Sequence, residues 1–234
     1  MDSEPLTLEG LPWPVELISH SRARRLRLAM DERRGRLRLT VPLRTSRRAA
    51  LEWARGQAAW VEAQVALIQP GEPFVPAAAI PFDGASLRLE WNCEGPRAPS
   101  LDDGALIVGG PLDRFSDRVE RWLRDTARRV LTEETAAIAD HGGIRAGPVA
   151  VGDASTRWGS CSASGAIRYN WRLILAPPHV RRFVVAHEVA HRVHLDHGAR
   201  FHALAAELYG GDVAAARLEL RRLGPRLKRV GRGH

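Results

Sequence analysis

Hydrophobic and polar residues alternate in two neighbouring runs near the start of the chain. The apolar side chains recur at every second position, at Leu26, Leu28 and Met30 and again at Leu37, Leu39 and Val41. Residues 31–35 end in glycine and supply a turn, so the pattern predicts a β-hairpin. We expect its other face to be wet and basic, since it carries Arg22, Arg24, Arg25, Arg27, Arg34, Arg36 and Arg38.

Helical spacing of apolar residues predicts two helices in the middle of the chain. Ser46 can cap the first, which is expected to run to about Ile68. The second follows Gly109-Gly110-Pro111 and ends at Gly142-Gly143. Its apolar positions include Phe115, Val119, Trp122, Leu123, Val130, Leu131 and Ile138.

Shorter patterns predict strands at 87–91, 106–108 and 149–151, with a loop over 92–104. Two extended pieces are predicted around Ser160 and Ile167, followed by a strand that leads to a helix starting at Pro177-Pro178. An edge strand at this position could bind an extended peptide by backbone pairing.

Charge and composition narrow the class of protein. The chain has 234 residues and a net charge of +8, and every basic residue except Lys228 is arginine. This surplus of positive charge attracts polyanions. A genome that favours arginine codons would also produce part of the surplus. Two cysteines cannot build a disulfide framework, and we find neither a signal-peptide pattern nor a membrane-spanning apolar run. We therefore expect a cytoplasmic protein.

The helix after Pro178 carries the candidate chemistry. Six of the nine histidines lie between His179 and His202. His187 and His191 are four residues apart, so a helix places both imidazoles on one face, close enough to bind one metal ion. Glu188 can reach water at that metal without binding the metal itself. This pattern indicates a zinc hydrolase with one Zn2+ per chain.

A zinc enzyme needs a third protein ligand, and two residues compete for this role. His194 lies about 10 Å along the helix axis from His187, which is too far for both side chains to bind one metal ion. If the helix ends near Leu195, a turn through Asp196 returns His197 to the metal, with Gly198 as a plausible helix stop. Glu207 is the alternative, as in proteases whose glutamate ligand comes from a following helix. The chain is not a metzincin, because no methionine follows Met30.

Other polar residues near this helix in sequence are candidates for supporting roles. Arg157, Asn170 and Arg172 could bind substrate, although structural hydrogen bonding explains each of them equally well. Cys161 could be a fourth ligand, but a small buried thiol is the better interpretation. Tyr209 is a candidate oxyanion donor.

Three stretches together resemble the YgjP-like, or SprT-like, family of small zinc metallopeptidases. They are SRARRLRLAMDERRGRLRLTVP, TRWGSCSASGAIRYNWRLILAPP and VVAHEVAHRVHLDHGARFHAL. The resemblance implies a gluzincin-like catalytic domain, zinc held by His187, His191 and His197, and Glu188 as general base. Asp196 and the pair Phe201-His202 depart from the family pattern.

The resemblance and the predicted elements together indicate an α+β fold. We expect a tail at 1–14, a β-rich region with a long helix at 15–110, a zincin-like domain with a small sheet at 111–224, and a basic tail at 225–234. The leading function is zinc-dependent hydrolysis of a peptide or protein. The alternatives are a metal-dependent nucleotide pyrophosphohydrolase and a basic nucleic-acid-associated module with structural zinc. The lack of a Gly-rich phosphate loop weakens the nucleotide alternative.

The basic surface generates the first prediction. We expect weak binding to nucleic acid and other polyanions, without sequence preference, that falls steeply as salt rises because counterion release drives it. Titration of labelled DNA and heparin at low and high salt measures this. Affinity that does not change with salt contradicts an electrostatic origin.

Overall fold

A computed structural model describes residues 4–31 and 34–233. Its helices and small mixed sheets confirm the α+β class. The chain divides into two compact units, Met1–Pro70 and Gly71–His234. No helix in the described part of the chain is both long and apolar enough to cross a membrane.

The first unit is built on a three-stranded sheet. Its strands are β1 (Val15–His20), β2 (Arg27–Asp31) and β3 (Arg36–Pro42). The central strand, β3, pairs parallel to β1 and antiparallel to β2, which confirms the predicted hairpin. Two residues of its turn, Glu32 and Arg33, lie outside the described residues. Six of the seven arginines on the polar side are exposed, but Arg36 is half-buried and pairs with Glu16 at 3.2 Å.

The single helix predicted from Ser46 to about Ile68 is wrong, because the structure has two helices there. They are α1 (Arg47–Arg55) and α2 (Ala58–Ala66). The Ser46 hydroxyl caps α1 as expected by accepting from the Ala49 N–H. The interruption falls at Gly56, a residue that costs about 1 kcal/mol relative to alanine inside a helix.

A four-stranded sheet opens the second unit. Its strands are β4 (Ala79–Phe82), β5 (Ala85–Asn92), β6 (Ser100–Asp102) and β7 (Ala105–Gly109), in the order β4-β5-β7-β6. Strands β5 and β7 confirm two predicted strands, whereas the stretch predicted as a loop contains β6.

One hydrophobic core joins this sheet to the elements that follow it. Leu89 and Leu106 pack in the same cluster as Phe115 and Leu123, the apolar stripe of the long helix. Leu227 and Val230 are buried there too, so the basic C-terminal segment contributes to the core. The compact units therefore separate at Pro70, whereas the division predicted from the sequence lies at 110. That four-part division remains a prediction about domains.

The long helix, α3 (Phe115–His141), ends before Gly142-Gly143 as predicted. It is followed by a second small sheet of β8 (Val149–Gly152), β9 (Gly159–Cys161) and β10 (Ile167–Asn170). Strand β10 is central, parallel to β8 and antiparallel to β9, so β9 is an edge strand. Strands β9 and β10 match the extended pieces predicted around Ser160 and Ile167, but the further strand predicted before Pro177 is wrong, because Trp171–Leu175 form a 3-10 helix.

Three helices complete the unit: α4 (Pro178–Ala190), α5 (Ala199–Tyr209) and α6 (Val213–Leu227). Helix α4 begins at the predicted prolines and runs through the core, where Val180, Val184, Val185 and Val189 are buried. It contacts α3, α5, α6 and β9. This central position holds the histidine-bearing end of α4 between the edge strand and α5.

Candidate metal centre

Helix α4 ends earlier than the sequence suggested, and this early end shapes the site. Its last helical residue is Ala190, and His191 is the C-cap. Tight turns follow at once, since the N–H groups of Val193 and His194 both donate to the Ala190 carbonyl. The prediction that Gly198 stops α4 is wrong. Gly198 is the N-cap of α5, and its N–H donates to the Asp196 carboxylate at 2.9 Å.

The resulting turn brings three histidines together. His187 lies in the last turn of α4, His191 at its end, and His197 just before α5. Their ligand-capable nitrogens all lie within 4.8 Å of one another, and the Nε2 atoms of His187 and His197 are 3.4 Å apart. Two nitrogens bound tetrahedrally to one zinc at about 2.0–2.1 Å lie about 3.4 Å apart. The His187–His197 pair therefore has the spacing of two zinc ligands, and the three histidines form a group that can hold a metal ion.

A single aromatic ring supports the three imidazoles. Phe201, on the first turns of α5, is fully buried. Its ring stacks on His191 with centroids 4.4 Å apart, and it meets His187 and His197 edge-on at 4.9 and 4.7 Å. Sequence reasoning missed this role. The available signal was its position one helical turn after His197.

The surroundings keep the imidazoles of His187 and His191 in the form that binds metal. Burial, together with the neighbouring His191 and His197, lowers the pKa of His187 to about 4. Burial also lowers the pKa of His191. Both rings are therefore neutral at pH 7, as a metal ligand must be. The Nδ1 of His191 lies 2.9 Å from the His194 carbonyl, which can only accept a hydrogen bond. Nδ1 therefore carries the proton, and the Nε2 lone pair is available.

Glu188 follows His187 in α4 and is almost fully buried, with 4% of its surface exposed. Its Oε2 atom has no hydrogen-bond partner among the described residues. Burial raises the pKa of Glu188 to about 7, although the charge of Arg157 acts in the opposite direction. A carboxyl group with this pKa can both accept and release a proton near neutral pH.

The position of Glu188 depends on a glycine in the edge strand. A Cβ atom added to Gly159 would lie 2.6 Å from both Cγ and Cδ of Glu188. Real Cβ atoms do not approach carbon atoms so closely, so any other residue at this point of β9 would have to displace the Glu188 side chain. The backbone of β9 therefore forms one wall of the Glu188 site.

A family model described as the YgjP-like metallopeptidase domain matches residues 24–223. The chain belongs to the YgjP-like family. This match confirms the resemblance drawn from the three sequence stretches. No curated protein and no solved structure matches the chain.

The other predicted site residues of this YgjP-like protein have different surroundings. Arg157 is exposed, in the segment that precedes β9, and its charge acts on Glu188. Asn170 and Arg172 are buried and engaged within the fold. The Asn170 amide donates to the Ala154 carbonyl at 2.8 Å. Arg172 donates to the Val230 carbonyl at 3.1 Å and forms an ion pair with Asp153.

Three further candidates lie outside the histidine group. Glu207 is exposed on α5 and is not part of it. Cys161 is half-buried, and burial raises the pKa of its thiol, which disfavours the thiolate that metals bind. Tyr209 is buried, and its ring packs edge-on against Phe183 with centroids 5.7 Å apart.

The geometry predicts about one zinc ion per chain. We expect His187→Ala, His191→Ala and His197→Ala each to remove the metal, because each deletes one of three donors. Elemental analysis after zinc reconstitution measures this. His194→Ala is the matched control, since only the backbone of His194 contacts the site. Loss of metal in Glu207→Ala, with retention in His197→Ala, would reverse the choice of third ligand.

Proposed function

We propose that this protein is a zinc-dependent metallopeptidase in which His187, His191 and His197 hold the zinc and Glu188 is the general base. The observation that carries the proposal is the buried Oε2 of Glu188, which lacks a partner in the described part of the chain and belongs to the residue that follows His187, one of three grouped imidazole donors. Leaving such an atom unpaired lowers the stability of the fold by about 1–3 kcal/mol. Proteins accept such a cost mainly at functional sites. Membership of a metallopeptidase family supports a peptide or protein as substrate.

Three protein ligands favour a catalytic metal over a structural one. Structural zinc sites are usually closed by four protein ligands, whereas catalytic sites leave a position open. When bound, zinc supplies a Lewis acid that polarises the scissile carbonyl and lowers the pKa of water to about 7.

Glu188 performs the proton transfers in this proposal. Its Oε2 accepts a proton from the water that attacks the peptide carbonyl. The protonated carboxyl group then delivers that proton to the leaving amide nitrogen, so the peptide bond breaks to an amine and a carboxylic acid, whose remaining proton passes to the amine or to solvent at neutral pH. A pKa of about 7 suits both steps, because neither the acid nor the base form is strongly favoured near neutral pH.

The free edge of β9 offers a means of binding the substrate backbone. The Trp158 carbonyl accepts from the Asn170 N–H, and the Ser162 N–H donates to the Ala166 carbonyl. In an antiparallel pair, residues whose backbone groups bond to the partner strand alternate with residues whose N–H and C=O groups point to the opposite side. The N–H and C=O groups of Gly159 and Cys161 therefore face the open edge.

An extended peptide added to this edge would lie next to Glu188, because Gly159 is in contact with that side chain. Among the residues that the sequence assigned to substrate binding, the proposal retains Arg157. Its guanidinium is exposed and close enough for its charge to act on Glu188.

The first test of this function is Glu188→Gln. The amide keeps the shape of the side chain but cannot accept the proton, so zinc content and fold should be retained. Hydrolysis should fall by about 10²–10⁴-fold, the usual contribution of a general base. Rates on an unfolded-protein or peptide library, and separately on nucleoside triphosphates, measure the effect.

The two substrate panels separate the alternatives. Loss of peptide cleavage in Glu188→Gln supports the peptidase, whereas loss of pyrophosphate release alone supports the nucleotide pyrophosphohydrolase. Equal behaviour of wild type and variant on both panels would refute Glu188 catalysis and favour a structural zinc.

The second test is Gly159→Ala. The new methyl group would displace the Glu188 carboxylate while leaving the histidines unchanged, and a misplacement of about 1 Å can cost about 10²-fold in rate. We expect kcat to fall at least about tenfold with full zinc content. Gly152→Ala in β8 is the matched control, because its nearest contact would be an ordinary 3.5 Å from Arg168. Equal activity of the two variants would contradict the assigned position of Glu188.

A further inference from the structure

A pocket of about 250 Å³ opens beside the histidine group, between α4, α5 and α6. The apolar part of its wall is formed by Phe183, Ala205, Ala206 and Val213. His187 also lines it, so the pocket shares a wall with the proposed metal centre. Sites for drug-sized ligands usually measure roughly 300–1,000 Å³, so this volume suits one amino acid side chain.

The polar groups of the pocket carry nitrogen and no carboxylate. Besides His187, they are His202 and Arg217, and no acidic residue lines the pocket. Within the described residues, Arg217 forms no ion pair or hydrogen bond. Two other arginines of α6 differ in this respect, since Arg226 pairs with Glu72 at 3.0 Å and Arg222 with Glu219 at 3.9 Å, whereas Arg221 resembles Arg217.

The charge of Arg217 therefore has no protein partner at the pocket, among the residues that the structure describes. A guanidinium group presents a planar set of donors that matches a carboxylate and can bind both of its oxygens. The apolar residues of the wall can pack against an apolar stem that carries such a carboxylate. A substrate group with a short apolar stem and a terminal carboxylate fits both features.

We propose that this pocket is a specificity subsite in which Arg217 binds a carboxylate of the peptide substrate close to the scissile bond. The inference rests on the proposed peptidase function, since the shared His187 wall is what puts the pocket next to the reacting carbonyl. The carboxylate has two possible sources, the side chain of a substrate Asp or Glu and the free C-terminus of the peptide.

Binding to Glu188→Gln protein loaded with zinc tests the subsite without requiring hydrolysis. The probes are short fluorescent peptides with a single Glu moved through each position, each with a Gln twin, and each made with a free or an amidated C-terminus. We expect one Glu position, or the free C-terminus, to bind about tenfold tighter than its uncharged twin, which corresponds to about 1.4 kcal/mol. The form that shows the preference identifies the source of the carboxylate.

Variants of Arg217 then assign the preference to this side chain. In the same background, Arg217→Gln should abolish it, and Arg217→Glu should reverse it in favour of a Lys-containing peptide. Arg221→Glu is the matched control, because Arg221 is exposed one turn further along α6 and does not line the pocket. This control should keep the preference while making the same change in net charge.

Two results would overturn the inference. One is equal binding of every charged and uncharged pair, and the other is a preference that Arg221→Glu reduces as much as Arg217→Glu. Failure of the proposed function looks different. In that case wild-type protein cleaves no peptide, whatever preference the binding assay records.

Discussion

The packing of three imidazoles against the Phe201 ring is the interaction on which the site depends. The ring is fully buried and stacks on His191, while His187 and His197 meet it edge-on. Helix α4 supplies two of the imidazoles and the turn before α5 supplies the third, so Phe201 fixes the position of one helix end against the other. His187 and His191 pack here as neutral rings, because burial lowers the pKa of both.

Glu188 shows a second constraint, in which close packing and chemistry oppose each other. Its carboxyl group is buried between the end of α4 and the backbone of Gly159, where one oxygen lacks a partner among the described residues. The burial of this carboxyl group and its unpaired oxygen both lower the stability of the fold. They also produce a carboxyl group whose pKa is raised to about 7 and whose Oε2 atom is not engaged by the residues that the structure describes. The large apolar core around α4 offsets this cost.

The arginines of the second unit divide by what their charge contacts. Arg181 is buried and pairs with Asp83 and Glu134, and Arg172 is held by Asp153 and a backbone carbonyl. These guanidinium groups connect distant parts of the chain and cannot serve a ligand as well. Arg217 is exposed on a pocket wall instead. An arginine-rich composition therefore consists of structural cations and available ones, and only their contacts distinguish the two.

The sequence by itself determined the features that depend on local periodicity. Alternation predicted the hairpin, and helical spacing predicted α3 and placed His187 and His191 on one face of α4. Contacts between distant segments decided the rest. The position of His197 depends on where α4 ends, which the bond from His191 to the His194 carbonyl and the packing of Phe201 control. The sequence could not decide between a structural and a substrate-binding role for Arg172, because its partner at Val230 lies 58 residues further along the chain. Likewise, nothing in the sequence around Gly159 indicates that a carboxylate packs against it, since residue spacing carries no information about which strand meets which helix.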